Sequence, residues 1–222
     1  MVVFDMAGTV VDEQNIVYKS LHQSLFQSGV DLEYDVVLTH GAGKEKKQAI
    51  ADLLVQANMQ PEREMIDTIY NAFKEQLMDK YAYYEITSQP GTEQTFDALR
   101  SRGILITLNT GYDRATAEML LQELNWQQGV DIDYLVTASD VQHGRPAPDM
   151  IQNAMDALGI ETGEEVMKVG DSTVDIEEGR HASCRYNVGI TTGAHTREQL
   201  LQYNPTHVID SLAEILPILD QE

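Results

Sequence analysis

The chain has 222 residues, 42% of them hydrophobic and 23% charged, which supports one full core plus a smaller accessory one and excludes a disordered chain. Fifteen Lys and Arg against 36 Asp and Glu give a net charge of −21, which disfavours nucleic acid and anionic membrane surfaces as partners; an anionic small molecule would need a local positive site within that field. Cys184 is the single cysteine, which rules out an internal disulfide and a cysteine metal cage and suits the cytoplasm, and no apolar run approaches the roughly 18 residues of a membrane span.

Met1 to Phe4 is an apolar run that stops at Asp5 and meets Ala7-Gly8-Thr9, the pattern of a buried strand ending in a turn. From about Glu13 to Tyr84 apolar residues recur at three and four: Ile16, Leu21 and Leu25, then Ile50, Leu53 and Leu54, then Met65, Ile69 and Phe73. Gly29, Gly41, Gly43 and Pro61 divide this stretch into four or five short helices. After Gln89-Pro90-Gly91 the pattern alternates. Helices are expected over Phe96 to Arg100, Ala115 to Leu124 and Met150 to Leu158, and strands over Ile104 to Leu108, Tyr134 to Val136, Val166 to Val169, Tyr186 to Ile190 and His207 to Ile209. Such alternation predicts an α/β fold, a parallel sheet with helices on both faces, into which the helical block is inserted after the first strand.

Ligands of open parallel sheets bind beyond the carboxyl ends of the strands. Four polar groups fall there: Asp5 to Thr9, Asn109 to Tyr112, Arg145 to Pro148 and Gly170 to Asp175. Asp5, Asp171 and Asp175 can converge on one divalent cation, and oxygen-only ligation favours magnesium. Magnesium takes only one or two carboxylates and a substrate oxygen, which leaves an oxygen of Asp5 able to attack phosphorus. Thr110 and Gly111, between a strand and a helix starting near Asp113, offer a hydroxyl and free amides to phosphate oxygens. Arg145 supplies the positive charge that an anion attacking another anion requires.

Asp5-Met6-Ala7-Gly8-Thr9, Thr110, Arg145 and Gly170-Asp171-Ser172-Thr173-Val174-Asp175, in this order and with an insertion after the first, resemble the four motifs of the haloacid dehalogenase superfamily along the whole chain. The resemblance implies a Rossmann-like core over 1–13 and 86–222 with a helical cap domain over 14–85. It also implies Asp5 as nucleophile, Thr110 and Arg145 as phosphate holders, and Mg2+ held by Asp5, Asp171, Asp175 and the backbone oxygen of Ala7.

Two departures narrow it. Most phosphatases of the superfamily carry a second Asp, acting as general acid, where this chain has Ala7, and such an acid is worth roughly 100- to 10,000-fold. Arg145 stands where lysine is more usual. Both features resemble the phosphonoacetaldehyde hydrolase branch, in which a cap lysine forms an imine with the substrate aldehyde and accepts the electrons of the breaking carbon–phosphorus bond. Gly41-Ala42-Gly43-Lys44 resembles that branch's cap loop and makes Lys44 the candidate. Lys47, one turn on, is expected to lower the pKa of Lys44 by repulsion, by about two units at ~6 Å if both are partly buried. The branch has histidine where this chain has Lys47 and methionine where it has His40, so His40 becomes a candidate for proton shuttling.

The expected substrate is a small anionic organophosphorus compound, and the apolar cap faces allow a homodimer like those the branch forms through its caps. Alternative readings are a phosphomonoester phosphatase or sugar-phosphate mutase of the same superfamily, and a binding module that kept the fold without catalysis.

Overall fold

The computed structural model describes residues 1–220. Six parallel strands form the central sheet: β1 (Val2–Asp5), β4 (Ile106–Thr110), β5 (Tyr134–Thr137), β6 (Met167–Gly170), β7 (Tyr186–Ile190) and β8 (His207–Ile209), in the order β5-β4-β1-β6-β7-β8. The chain builds outward from β1 through β4 and β5, then returns to the other side of β1 with β6. Asp5, Thr110 and Gly170, the last residues of β1, β4 and β6, therefore meet at the switch point where such sheets bind ligands. Register brings Asp5 opposite Asn109 and Phe4 opposite both Leu108 and Val169.

β1 is buried on both faces. Val2 and Phe4 enter the main core, whereas Val3 faces the opposite layer with Ile151, Val166, Ala182 and Cys184, the two-residue alternation of a covered strand. Helices α5 (Thr92–Ser101) and α6 (Arg114–Glu123) lie on the main-core side. There Phe4 meets Phe96 with ring centroids 5.5 Å apart, and Phe96 meets Trp126 at 5.4 Å. On the opposite side Ile151 of α7 (Asp149–Leu158) packs in the second layer. Helices α8 (Thr173–His181), α9 (Arg197–Leu201) and α10 (Ile215–Leu219) complete the core.

A short antiparallel ribbon, β2 (Val11–Asp12) with β3 (Thr87–Ser88), frames the helical insertion, and the expected cap limits, 14 and 85, fall between its strands. Between them lie α1 (Ile16–Gln27), α2 (Tyr34–Gly41), α3 (Lys46–Gln56) and α4 (Arg63–Tyr81). Val17, Leu21 and Leu25 of α1, and Ile69, Phe73, Leu77 and Tyr81 of α4, recur every four residues on buried faces. They join one apolar cluster with the sheet.

The strand expected at Ile104 to Leu108 begins later and runs on through Asn109 and Thr110, which are polar yet buried. Helix α8 escapes the apolar period because its buried face carries Thr173, Asp175 and Glu178, and α9 and α10 are too short to show one. Among the described residues no helix is long and apolar enough to cross a membrane.

Candidate active site

Asp5 closes β1, Asp171 follows β6 and Asp175 sits in the first turn of α8. Carboxylate oxygens of the three lie within 4.8 Å of one another, and all three residues are buried. Local structure fixes each. Ser172 caps α8, and Asp175 Oδ2 accepts from the Ser172 amide at 3.2 Å and hydroxyl at 2.5 Å. Asp171 Oδ2 accepts from the Ala194 amide at 2.6 Å, and Thr9 Oγ1 donates to Asp171 Oδ1 at 3.5 Å.

Two buried cations answer these acids. Arg145 Nη2 lies 2.8 Å from Asp5 Oδ1, and its Nη1 donates to Asp175. Lys168 Nζ reaches Asp175 Oδ1 at 2.9 Å, Glu178 Oε2 at 3.3 Å and Asn109 Oδ1 at 2.5 Å, while Asn109 Nδ2 donates to both oxygens of Glu178. With Asp5, Asp171, Asp175 and Glu178 ionised, four buried carboxylates face two cations, an excess of two negative charges. The groups respond unequally. Burial and then the charges of Asp5 and Asp175 hold the Asp171 pKa well above the ordinary carboxylate range. Burial also raises Asp5 against the pull of Arg145. At Asp175 burial is outweighed by Lys168 and Arg145, and its pKa falls to about 2. An all-oxygen cluster short of two positive charges fits a hard divalent cation.

The corner at Thr110 and Gly111 is closed by the helical insertion. Thr110 Oγ1 accepts from the Tyr112 amide at 3.2 Å, and Asp113 caps α6 by accepting from the Thr116 amide at 2.9 Å. The insertion's loop at Gly43 and Lys44 rests directly on this turn. A Cβ at Gly111 would stand 2.5 Å from the Lys44 carbonyl oxygen; one at Gly43, whose φ is +76°, would stand 2.3 Å from Ser172 Oγ. The seal leaves a cavity of about 10 Å3, room for about one water, lined by Asp5, Ala7, Thr110, Gly111 and Arg145 from the core and by Val17, Tyr18, Gly43 and Lys46 from the insertion, with Tyr112 beside them. Beyond Arg145 a second cavity of about 800 Å3 opens between Lys44, Gln48 and Asp52 on one side and His143, Gly144 and Glu177 on the other.

The structure thus brings Asp5, Ala7, Thr110, Gly111, Arg145, Asp171 and Asp175 together. It does not bring His40 to them: His40 sits in the last turn of α2, half-buried, and does not line the cavity at Asp5. Lys44 lies on the wall of the larger cavity, its Nζ 2.5 Å from Asp52 Oδ2. The sequence expectation of repulsion between Lys44 and Lys47 left out their partners: Lys44 Nζ faces Asp52, and Lys47 Nζ lies 2.5 Å from Asp67 Oδ1. Sequence reading missed Lys46, Lys168, Glu178 and His195. A lysine inside the apolar run Val166 to Val169 was a visible signal for Lys168; the others gave none through periodicity. His195 Nδ1 accepts from the Thr173 amide at 3.0 Å and its other ring nitrogen lies 3.2 Å from the Leu38 carbonyl, tying α2 to the start of α8.

A buried aspartate at the switch point, flanked by two further aspartates and an arginine under a helical insertion, is a candidate active site on a Rossmann-like α/β sheet. The haloacid dehalogenase-like hydrolase family model matches residues 2–211, and the chain belongs to that family. It is 30% identical over 220 residues to a phosphonoacetaldehyde hydrolase of Latilactobacillus sakei, covering 94% of this chain and 80% of that protein. It is 28% identical over 222 residues to the pyrophosphatase PpaX of Bacillus mycoides, covering 99% and 96%. Its fold is similar to the crystal structure of a phosphonoacetaldehyde hydrolase-like protein from Oleispira antarctica, with a TM-score of 0.85 at 24% identity over 99% of this chain and 90% of that one.

Proposed function

We propose that this chain is a magnesium-dependent hydrolase that moves a phosphoryl group from a small organophosphorus substrate onto Asp5, and that the substrate is an aldehyde-bearing phosphonate cleaved at its carbon–phosphorus bond. The observation that carries this reading is the convergence of Asp5, Asp171, Asp175 and Arg145 in one buried cluster at the rim of the sheet. Asp5, Asp171, Asp175 and the backbone oxygen of Ala7 would hold Mg2+, which would supply the positive charge that lets a phosphoryl anion enter. Thr110, Gly111 and Arg145 hold its oxygens; Arg145 Nε is buried without a hydrogen-bond partner, with Glu178 Oε2 4.0 Å away. Residues 14–85 act as the cap, which must open to admit anything larger than a water.

Ala7 leaves no carboxylic acid beside Asp5 to protonate a departing alkoxide. A carbon leaving group needs an electron sink instead, and a lysine of the cap loop, Lys44 by its place in the motif, provides one as an imine. The second reading is a phosphomonoester phosphatase or sugar-phosphate mutase, which the attachment of Lys44 to Asp52 favours. Inorganic phosphate release with Mg2+, measured across phosphonates and phosphate esters for wild type, Asp5→Asn and Lys44→Arg, separates them. The proposal expects phosphonoacetaldehyde to be turned over and esters to lag by at least about 100-fold; esters turned over equally well would contradict it.

A further inference from the structure

We infer that His195 is a positioning residue that makes the placing of Asp171, and with it the candidate metal site, depend on the helical insertion being closed. The inference rests on the Mg2+ reading above and adds a link that the four motifs do not contain. His195 lies in the loop after β7 and is 3% exposed. Its two ring nitrogens face different parts of the molecule. Nδ1 accepts from the Thr173 amide at 3.0 Å, so the ring proton sits on Nε2, which donates to the Leu38 carbonyl oxygen at 3.2 Å. Leu38 belongs to the last turn of α2, where carbonyls are short of helical partners and accept from outside. Ala42 ends that helix and leads into Gly43 and Lys44, which pack on Ser172 and Gly111. His195 therefore grips the insertion one turn before the loop that seals the cavity at Asp5.

The same loop holds Asp171. The Ala194 amide donates to Asp171 Oδ2 at 2.6 Å, the His195 amide donates to the Asp171 carbonyl oxygen at 3.2 Å, and Thr192 Oγ1 donates to the Gly8 carbonyl oxygen at 2.6 Å. The packing leaves no slack. A Cβ at Gly193 would stand 1.9 Å from Asp171 Oδ2, and one at Gly8 would stand 2.9 Å from the Gly193 Cα. Backbone this closely packed transmits a displacement rather than absorbing it.

When the insertion swings open, α2 takes the Leu38 carbonyl away from His195, and the loop at 192–195 loses the contact that ties it to the insertion. The amide that fixes Asp171 Oδ2 is then free to drift, and the carboxylate loses its set position beside Asp5 and Asp175. The link also runs the other way. An ion that holds Asp171 in place holds the loop, and so favours the closed insertion, because coupling between two sites is reciprocal. Space filling alone does not call for histidine here, since an apolar side chain would fill the site without desolvating two ring nitrogens.

The test is trypsin cleavage after Lys44, followed with and without millimolar Mg2+, with Mg2+ half-saturation read from melting temperatures of the same proteins. It compares wild type with His195→Leu, which loses both ring bonds, and His195→Gln, whose amide can both accept and donate. The inference expects Mg2+ to slow cleavage of the wild type by at least about 5-fold, to leave His195→Leu unprotected and to bind it about 10-fold more weakly, with His195→Gln in between. Equal protection of wild type and His195→Leu overturns it. So does a wild type whose melt Mg2+ raises while its cleavage is unchanged, and the metal reading then stands. A wild-type melt that Mg2+ does not move overturns both. If His195→Leu fails to fold, the wild type decides the matter through its own protection by Mg2+.

Discussion

Arg145 Nη2 sits 2.8 Å from Asp5 Oδ1 with both side chains sealed from solvent, so the candidate nucleophile and the positive charge that would steer a phosphoryl group are already paired before any ligand enters. Breaking a buried pair from the basic side leaves carboxylates without an answer. Arg145→Met should therefore lower stability by about 3 to 5 kcal/mol, read by denaturant unfolding without metal. Added Mg2+ should recover part of that loss.

Asp5→Asn removes one acid from a cluster that carries an excess of them, so it should fold. Turnover should nevertheless fall by at least about 10,000-fold, since an amide cannot accept the phosphoryl group. Steady-state phosphate release compared with a thermal melt separates the two effects.

A cation held among Asp5, Asp171 and Asp175 binds the folded chain and not the unfolded one, so millimolar Mg2+ should raise the melting temperature in proportion to occupancy. Asp171→Asn should abolish most of that rise. An equal rise in wild type and Asp171→Asn would place the ion elsewhere.

Glu13, at the junction of core and insertion, is 1% exposed, accepts from the Val17 amide at 2.8 Å and the Tyr81 hydroxyl at 3.1 Å, and has its pKa raised by burial from 4.5 to about 7. A carboxyl with a raised folded-state pKa binds its proton more tightly in the folded chain. Its contribution to stability is therefore greatest below about 4.5 and falls as pH rises to about 7. Relative to Glu13→Gln, the wild type should lose about 3 kcal/mol across that interval in paired unfolding titrations.

Gly111→Ala tests cap closure. Its Cβ would meet the Lys44 carbonyl oxygen at 2.5 Å, a backbone contact that only a displaced cap loop can relieve. Turnover should fall by about 10- to 100-fold while the melt changes little, because the cost falls on the closed geometry. Limited proteolysis should cut faster near residues 41–45.

The sheet was legible in the sequence because Val2 to Phe4, Tyr134 to Val136 and Tyr186 to Ile190 are strands whose burial demands apolar residues. The rim residues Asp5, Thr110, Arg145 and Asp171 were legible because a parallel sheet exposes its ligand site at one edge and their motifs fall there. What stayed hidden was polar burial. Thr110 ends a strand that hydropathy stops at Leu108, and Glu178 sits in a helix with no apolar stripe. Which lysine lines the cavity at Asp5 was also invisible, since it depends on which way the side chains of Lys44 and Lys46 turn at the start of α3 and on Asp52 pairing with the first of them.

The most direct measurement is rapid acid quench of the enzyme turning over substrate labelled with radioactive phosphorus, followed by peptide mapping. The account predicts label on the peptide that carries Asp5, appearing before free phosphate and absent in Asp5→Asn. Phosphate released at full rate with no protein-bound label, or with label on another residue, would contradict it.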